Sequence, residues 1–405
     1  MSEIDKSFEE LINKLKNYIP PDEISFIEKA YHFSLKCHKN QSRKSGEPYI
    51  THPLAVAHIL ADHEQDTATI AASLLHDTVE DSKISLTEID KKFGHEISHL
   101  VSGVTKLTRL TFSSKAETQA ENFRKMFLEM AQDIRVIIIK LADRVHNMRT
   151  IKFLDQEKQQ YIAEETKDIY APLAHRLGMW NMKWELEDLS FSVMKPDEYQ
   201  TIKKFVAEKR GYREEFIKNF ISIINVELKK FDVNAEIIGR AKHFYSIYQK
   251  MIKQNISYDE LFDVLAIRII VNTVKDCYTT LGIIHAMWKP IAGKFDDYIA
   301  MPKSNMYQSL HTAIIGPYGK PVEVQIRTHE MNKIAEYGFA AHWKYKDGIA
   351  KDQKFETKLS WIRQLVDMQK DIKNAEDFLN SLKIDFFSDE VFVFTPKGDV
   401  HSLPL

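Results

Sequence analysis

The first half of the chain is organised around the octapeptide Leu74-Leu75-His76-Asp77-Thr78-Val79-Glu80-Asp81. It follows an apolar, alanine-rich run, and this composition predicts one continuous helix that includes the octapeptide. At 3.6 residues per turn, His76 then lies over Glu80, and Asp77 lies over Asp81 on the adjoining stripe. Ionisable groups crowded beside an apolar run are costly to bury without a partner. We therefore expect a cation to bind here.

The composition is that of a globular protein with more than one domain. The chain has 405 residues, and single cores stop growing at roughly 250–300 residues. The formal net charge of −2 excludes a basic footprint over the whole surface, of the nucleic-acid-binding kind, but not local basic clusters. With only two cysteines, Cys37 and Cys277, there is no disulfide framework. No apolar run reaches the roughly 18 residues of a membrane span. We therefore expect a cytoplasmic protein with no membrane partner.

Hydrophobic periodicity divides the chain into two parts. Helical patterns extend to residue 230, with no strong strand among them. From residue 234, β-branched strands alternate with helices, and adjacent strands follow. The sequence therefore predicts an all-α domain followed by an α+β domain with a mixed sheet.

Imidazoles and carboxylates on three predicted helices form the first candidate site. Its members are His52, His76, Asp77 and Asp143. Nitrogen and oxygen ligands without thiolate favour manganese, iron or magnesium over structural zinc. Such an ion activates water, which Glu80 and Asp81 could orient or deprotonate. The set resembles the HD-type metal-dependent phosphohydrolases, and the alternative is a buried polar network without an ion.

One loop near this site suits a nucleotide, and one further polar residue shares a helix face with Asp143. Arg43, Lys44 and Ser45 lie in a predicted loop whose cations and neighbouring aromatic residue suit a phosphate and a base. Asn147 lies four residues after Asp143, on the same face of a predicted helix. The alternative for the loop is a solvated surface segment.

A second candidate site begins where a predicted strand leads into a helix. Arg240 and Lys242 lie at the start of the helix, where backbone N–H groups and the helix dipole attract anions. Lys250 lies two turns further on, on the same side as Lys242 and Ser246. Three converging cations suit a triphosphate, and a basic surface helix is the alternative.

Two predicted strands carry acidic residues for this second site. Asp263 precedes a β-branched strand that contains Arg268, and Glu323 and Gln325 share one face of a later strand. If the strands are neighbours, Asp263 and Glu323 supply a metal ligand and a general base. The predicted loop 294–312 adds side chains that could stack a base and hold its phosphates: Lys303, Asn305, Tyr307 and His311.

These motifs resemble those of RelA/SpoT-homologue (Rel) proteins, the long bifunctional synthetases and hydrolases of the alarmone (p)ppGpp. The resemblance covers nearly the whole chain. It implies an HD hydrolase site with Mn²⁺ and a nucleotidyltransferase-like synthetase site with Mg²⁺. The implied organisation is an all-α HD hydrolase domain (1–155), a helical coupling region (156–230), an α+β synthetase domain (231–345), a helical extension (346–384) and the start of a TGS domain (385–405).

The resemblance also implies the role of each site residue. The nucleotide bound at the hydrolase site contacts Arg43, Lys44, Ser45 and Asn147. ATP contacts Arg240, Lys242, Ser246, Lys250 and Arg268. The acceptor GDP or GTP contacts Lys303, Asn305, Tyr307, His311 and Gln325. Asp263 binds magnesium, and Glu323 takes the proton of the acceptor 3′-hydroxyl as it attacks the β-phosphate of ATP.

Two positions vary within the family. Met306 stands where some members have glycine. Lys294-Phe295-Asp296-Asp297 mixes the basic motif of bifunctional members with the acidic motif of synthetase-only members, which leaves the choice between GDP and GTP open. Two alternatives follow: a hydrolase with a weak or silent synthetase, or a synthetase half that only binds guanine nucleotides as a regulatory module. Ribosome and tRNA contacts are expected only through a C-terminal region beyond this sequence.

Overall fold

The computed structural model describes residues 2–82, 84–108, 116–208, 210–240, 242–257, 266–303, 305–338, 390–394 and 400–404. The chain divides into two compact units. One consists of Met1–Leu173 with Ala340–Leu405, and the other of Ala174–Phe339. Asp263 and the predicted extension at 346–384 lie outside the described residues.

The described part of the first unit is helical apart from a short hairpin. Its helices are α1 (Glu3–Leu15), α2 (Pro21–Cys37), α3 (Thr51–Asp62), α4 (Thr67–Leu75), α5 (Thr78–Asp81), α6 (Leu86–Phe93), α7 (His95–Thr108), α8 (Ala116–Gln132), α9 (Arg135–Arg149) and α10 (Gln156–Glu165). A 3₁₀ turn (Ile151–Phe153) follows α9, and a π-helical turn (Thr166–Tyr170) follows α10. Helices α3, α4, α7 and α9 pack on one another around fully buried side chains such as Leu60, Leu74 and Ile139.

The prediction of one continuous helix through the octapeptide is wrong. Helix α4 ends at Leu75, and α5 begins at Thr78. The Thr78 hydroxyl donates to the Leu75 carbonyl at 2.6 Å, and the His76 ring contacts the Ser73 carbonyl at 2.7 Å. These side chains bond to backbone acceptors at the end of the helix and so compete with its continuation. His76 and Asp77 therefore lie in the turn between two helices.

The second unit has a five-stranded sheet and the helices that cover it. Its helices are α12 (Trp180–Met194), α13 (Pro196–Glu208), α14 (Arg210–Lys230), α15 (Phe244–Gln254), α16 (Val274–Met287) and α17 (His329–Tyr337). Its strands are β1 (Ala235–Arg240), β2 (Ala266–Val271), β3 (Pro290–Asp297), β4 (Leu310–Ile315) and β5 (Pro321–Thr328). A further helix, α11 (Ala171–Arg176), crosses the division between the units.

The sheet is mixed, as predicted. The strand order is β1-β2-β5-β4-β3, with β2 and β5 parallel and the other pairs antiparallel. Because side chains alternate along a strand, one face of β5 carries Val324 and Ile326, which pack into an apolar core with Phe220 of α14 and Ile284 of α16. The opposite face carries Glu323 and Gln325 and is the polar face of the sheet.

The prediction of a loop over 294–312 is wrong at both ends, because Leu310–Thr312 lie in β4. Lys294–Asp297 continue β3, an edge strand that pairs with β4 through Phe295, Asp296 and Asp297. The strand is largely exposed, and Gly293 interrupts it with a φ of +69°. Edge strands with charged, exposed side chains lack the apolar alternation that identifies a strand from sequence.

The predicted coupling region 156–230 is divided between the units, because the division falls between Leu173 and Ala174. Helices α12 and α13 pack on α15, next to the sheet of the second unit. Near the C-terminus, β6 (Glu390–Phe394) and β7 (Val400–Pro404) pair as an antiparallel hairpin. Among the described residues, no helix has the length and apolar composition needed to cross a bilayer.

Two candidate active sites

Three helices of the first unit bring the predicted metal ligands together. His52 lies in the first turn of α3, His76 directly after α4, and Asp143 on α9. One ligand atom from each of the three lies within 4.8 Å of the others, and all three residues are buried. Asp77 joins them, with carboxylate oxygens 3.1 Å from Nε2 of His76 and 3.4 Å from Nε2 of His52. These four residues could hold a divalent metal ion.

The ring of His76 is oriented as a ligand. Its Nδ1 contacts the Ser73 carbonyl at 2.7 Å, so this nitrogen carries the proton and Nε2 has a free lone pair. Nε2 is buried and makes no hydrogen bond to any described residue. A backbone carbonyl on one nitrogen and a free second nitrogen is the usual arrangement of a metal-binding histidine. This buried nitrogen, which faces the Asp77 carboxylate without a hydrogen bond, therefore fits a cation.

The charges of the cluster also fit a cation. Burial works against a charged carboxylate, but His76 and His52 outweigh it and lower the pKa of Asp77. Burial is likewise outweighed at Asp143, where Lys140 at 2.7 Å and His52 hold the pKa well below its usual value. Burial lowers the pKa of His52 and favours its neutral form. Ionised carboxylates and neutral imidazoles are the states that bind metal.

His146 is a member of this site that our sequence reasoning missed. Its Nδ1 lies 2.7 Å from Nδ1 of His52, so one ring donates to the other. Burial above all, with the neighbouring His52 and Arg43, lowers the pKa of His146 to about 3, so this ring is a neutral acceptor. A proton on Nδ1 of His52 leaves its Nε2 to face the carboxylates. The signal in the sequence was the spacing, because His146 follows Asp143 by three residues on one face of α9.

Tyr49 fixes the carboxylates from the loop side. Its hydroxyl lies 2.9 Å from Asp77 and 2.6 Å from Asp81. We expect Tyr49→Phe to lower both the affinity of the cluster for metal and the rate of any reaction at this site, by roughly ten- to hundredfold. This is the usual effect of removing a group that orients a metal ligand. Metal titration and turnover of the variant measure both. Tyr31→Phe is the matched control, because the Tyr31 hydroxyl is buried and makes no hydrogen bond to a described residue. Equal effects of the two variants would contradict this role for Tyr49.

Glu80 and Asp81 differ in their surroundings. The Glu80 carboxyl is half-buried, and Oε1 makes no hydrogen bond to a described residue. Burial first, and then the charge of Asp77, raise its pKa. Asp81 is exposed and held by Tyr49. A carboxyl group with a raised pKa is suited to proton transfer near neutral pH.

A cavity of about 650 Å³ adjoins this cluster. The predicted nucleotide contacts all line it: Arg43, Lys44, Ser45 and Asn147. Arg43 donates to the Asn147 side chain at 3.1 Å, and Asn147 donates to Asp143 at 2.6 Å, which connects the loop with the metal cluster. Arg144, Lys158 and Tyr161 also line the cavity and were not predicted.

In the second unit, basic residues surround Glu323 on the polar face of the sheet. Lys242 lies 3.2 Å and Arg240 lies 3.9 Å from its carboxylate, and Gln325 donates to it at 3.1 Å. Lys250, His311 and Glu323 line one cavity of about 540 Å³. Strands β2 and β5 are neighbours, which is the condition under which Asp263 and Glu323 could serve one site. Asp263 itself lies outside the described residues. Ser246 is exposed on α15.

The expectation that the start of α15 attracts a phosphate is not met by the backbone. Asp188 of α12 accepts from the backbone N–H of Tyr245 at 2.8 Å and of Phe244 at 3.3 Å. A carboxylate therefore occupies the anion-binding end of the helix. The positive charge offered to a ligand comes from side chains, chiefly Arg240 and Lys242.

The predicted acceptor loop is held in a defined conformation. The Asn305 side chain donates to the His175 carbonyl at 3.2 Å and accepts from the backbone N–H of Tyr307 at 3.2 Å. The Tyr307 hydroxyl lies 2.7 Å from Nε2 of His311. Met306 has a φ of +65°, in the left-handed region that glycine adopts without strain. This conformation explains why glycine suits position 306. The Lys303 ammonium lies over the Tyr298 ring at 4.5 Å.

Helix α12, which lies in the predicted coupling region 156–230, contributes aromatic side chains to the surroundings of Arg240 and Tyr307. Trp184 lies under the Arg240 guanidinium at 4.7 Å, and the Trp180 ring lies 5.5 Å from the Tyr307 ring. The two tryptophans are four residues apart and so share one face of the helix. Arg268, predicted to bind ATP, pairs with Glu336 of α17 at 2.7 Å.

Comparison with known proteins gives the class. Residues 30–180 match the family described as "HD domain", and residues 239–350 match the "Region found in RelA / SpoT proteins". Fold, sites and matches together define a protein with a helical HD domain followed by a mixed-sheet RelA/SpoT region.

Relatives match along almost the whole chain. The identity is 52% over 406 residues with the GTP pyrophosphokinase of Myxococcus xanthus, which covers 100% of this chain and 54% of the relative. It is 52% over 382 residues with the probable guanosine-3′,5′-bis(diphosphate) 3′-pyrophosphohydrolase of Synechocystis, which covers 93% of this chain and 50% of the relative. It is 46% over 398 residues with the bifunctional (p)ppGpp synthase/hydrolase SpoT of Escherichia coli, covering 98% and 57%. The chain belongs to the RelA/SpoT family and spans about half the length of these relatives.

Proposed function

We propose that this chain both makes and degrades (p)ppGpp. It would transfer pyrophosphate from ATP to the 3′-hydroxyl of GDP or GTP, and would hydrolyse (p)ppGpp to GDP or GTP and pyrophosphate. The observation that carries the proposal is the pair of charged sites, one in each unit. One is a buried His/Asp cluster that fits a divalent cation, and the other is a group of cations around Glu323 that fits phosphates. The names of the relatives include both activities.

For hydrolysis, the chain supplies ligands, a nucleotide cavity and a proton-transfer group. His52, His76, Asp77 and Asp143 would hold Mn²⁺, which supplies Lewis-acid charge and lowers the pKa of water when bound. Arg43 and its neighbours in the 650 Å³ cavity would hold the guanine nucleotide. Glu80, whose raised pKa comes chiefly from burial, would move the proton, and Tyr49 would keep Asp77 and Asp81 in place.

For synthesis, Glu323 would be the general base. Its carboxylate now neutralises Lys242 and Arg240. When the phosphates of ATP arrive, these cations would turn to the phosphates, which leaves the carboxylate free to accept the proton of the 3′-hydroxyl. Positioning and charge neutralisation provide most of the catalysis in phosphoryl transfer. Lys303, Asn305, Tyr307 and His311 would position the acceptor, and Mg²⁺ with Asp263 would complete the site.

The test is an assay of the purified chain in both directions. With ATP, Mg²⁺ and GDP or GTP, it should form the 3′-pyrophosphorylated nucleotide and AMP. With (p)ppGpp and Mn²⁺, it should release pyrophosphate, and chelation should stop the release. A chain that catalyses neither reaction would overturn the proposal.

Asp296 favours a second candidate, a hydrolase whose synthetase is weak. It lies opposite His311 in the pairing of β3 with β4 and lines the same cavity as Lys250 and Glu323. A carboxylate there repels phosphates that the neighbouring cations attract. We expect Asp296→Lys to raise the rate of synthesis or shift the preference between GDP and GTP, by up to about tenfold for one charge near the surface. Initial rates with each acceptor measure this. An unchanged rate and preference would remove Asp296 as the cause of a weak synthetase.

Two further proposals concern organisation. The hairpin of β6 and β7 would open a TGS domain. The region 156–230 would couple the two sites so that only one is active at a time, because simultaneous turnover would consume ATP without net product. Its division between the two units supports this role. Full simultaneous turnover of both reactions, with neither rate affected by the other site's ligand, would contradict the coupling.

A further inference from the structure

Arg327 is the most deeply buried cation on the polar face of the sheet. It follows Gln325 by two residues on β5 and therefore lies on the same face as Glu323. The residue is 1% exposed. None of the roles proposed above uses it.

The guanidinium of Arg327 lacks the partners that a buried charge requires. Nε and Nη2 are both buried, and neither makes a hydrogen bond to any described residue. The Tyr307 ring lies 5.9 Å from Cζ, which offers a cation–π contact but no acceptor in the plane of the guanidinium. Burial lowers the pKa of Arg327 to about 10, so the group still carries its charge at neutral pH. An unpaired buried charge lowers the stability of a fold.

The surroundings of Arg327 are already rich in positive charge. Arg268 and Arg240 both act on it electrostatically and oppose its charge. Each of these arginines also has a buried Nε without a hydrogen bond to a described residue. Among the described residues, the carboxylates paired with the neighbouring cations are Glu323, beside Arg240 and Lys242, and Glu336, beside Arg268. The three arginines therefore carry N–H donors that no described protein atom accepts.

We infer that Arg327 is a further substrate-binding residue of the synthetase site, whose free N–H groups donate to phosphate oxygens of the bound nucleotide. The inference rests on the proposed function and adds a residue to it. A planar guanidinium with two adjacent free donors matches the geometry of a phosphate. Because the side chain is 1% exposed, the ligand reaches it only if a covering group such as Tyr307 moves on binding.

The test uses Arg327→Met in the full chain and measures stability and binding separately. Removing an unpaired buried charge should raise the melting temperature of the nucleotide-free protein by a few degrees. The same variant should bind nucleotide roughly ten- to hundredfold more weakly, because a hydrogen bond to a charged group is lost. Two calorimetric titrations distinguish the ligands: a non-hydrolysable α,β-methylene analogue of ATP with Mg²⁺, and GDP alone. The nucleotide for which Arg327→Met has the lower affinity is the one whose phosphates Arg327 binds.

Two further variants keep the result interpretable. Arg327→Lys keeps the charge but not the planar pair of donors, so its affinity should lie between those of the wild type and Arg327→Met. Arg135→Met is the matched control in the first unit, since this buried arginine is paired with Asp133, Asp66 and Glu96. It should lower the melting temperature and leave both nucleotide affinities unchanged.

The outcomes separate this inference from the function on which it rests. If the wild type binds both nucleotides and Arg327→Met binds them equally well, Arg327 is not a substrate-binding residue. If Arg327→Met unfolds the chain while Arg327→Lys retains full affinity, the side chain is structural and the inference also fails. If the wild type binds neither nucleotide, the proposed synthetase function fails together with the inference.

Discussion

Replacing His76 by glutamine is expected to lower the rate of (p)ppGpp hydrolysis by about three orders of magnitude and to leave synthesis unchanged. Glutamine can occupy much of the volume of the imidazole, so the packing around the end of α4 should be retained. It lacks the second ring nitrogen that faces Asp77 at 3.1 Å. The expected loss corresponds to the several kcal/mol that a metal ion contributes to stabilising transition-state charge.

The reason for so large an effect is that the rest of the cluster cannot compensate. Asp77 and Asp143 are buried, and Lys140 is the cation paired directly with Asp143. The Asp77 carboxylate is left for the metal ion to neutralise. Without Nε2 of His76 as a ligand, that metal ion is held less tightly. We therefore expect metal affinity and hydrolysis to fall together, whereas a simple loss of fold would also abolish synthesis.

The matched control is His63→Gln. His63 is also buried, and its Nδ1 also contacts a helix carbonyl, that of Ile59 at 2.8 Å, but it lies outside the carboxylate cluster. Mn²⁺ affinity by calorimetry, hydrolysis with Mn²⁺ and synthesis with Mg²⁺ should be measured for both variants. If His76→Gln binds Mn²⁺ and hydrolyses (p)ppGpp as well as His63→Gln does, His76 is not a metal ligand.

The architecture could be predicted because it depends on long, regular patterns. The change from helical to strand periodicity near residue 234 coincides with the start of β1 at Ala235. The alternation in β5 correctly separates Glu323 and Gln325 from Val324 and Ile326. Burial of one face of a strand or helix leaves a repeated signal in the sequence, and this signal survives without any knowledge of tertiary contacts.

What could not be predicted depends on single contacts between distant segments. The pairing of His146 with His52 joins residues 94 positions apart. The capping of α15 by Asp188 spans 57 residues at Tyr245 and replaces the anion that the sequence led us to expect there. Each such contact consists of one or two hydrogen bonds without periodicity, so only the folded chain shows it. The break between α4 and α5 was missed for a related reason, since it depends on local bonds from side chains to the backbone.

Glu323→Gln is expected to lower the turnover rate of synthesis by about 10²–10⁴, the usual contribution of general acid–base catalysis. Glutamine keeps the size of the side chain but cannot accept the proton of the 3′-hydroxyl. Hydrolysis should be unaffected. Glu236→Gln is the matched control, because Glu236 is an exposed glutamate on β1, two strands away in the same sheet.

The binding of ATP should respond in the opposite direction. In the unliganded protein, Glu323 neutralises Lys242 at 3.2 Å and Arg240 at 3.9 Å. A neutral glutamine removes this competition, so both cations become available to the phosphates before ATP arrives. We therefore expect ATP to bind Glu323→Gln at least as tightly as the wild type while the turnover rate falls.

This combination distinguishes a catalytic base from a structural carboxylate. If Glu323 only held Arg240 and Lys242 in position, its loss would loosen both cations and weaken the binding of ATP, with a smaller effect on turnover. Calorimetry with the α,β-methylene analogue of ATP and steady-state kinetics separate the two cases. Weaker binding with near-normal turnover at saturating ATP would assign Glu323 a structural role and leave the base of the synthetase reaction to another group.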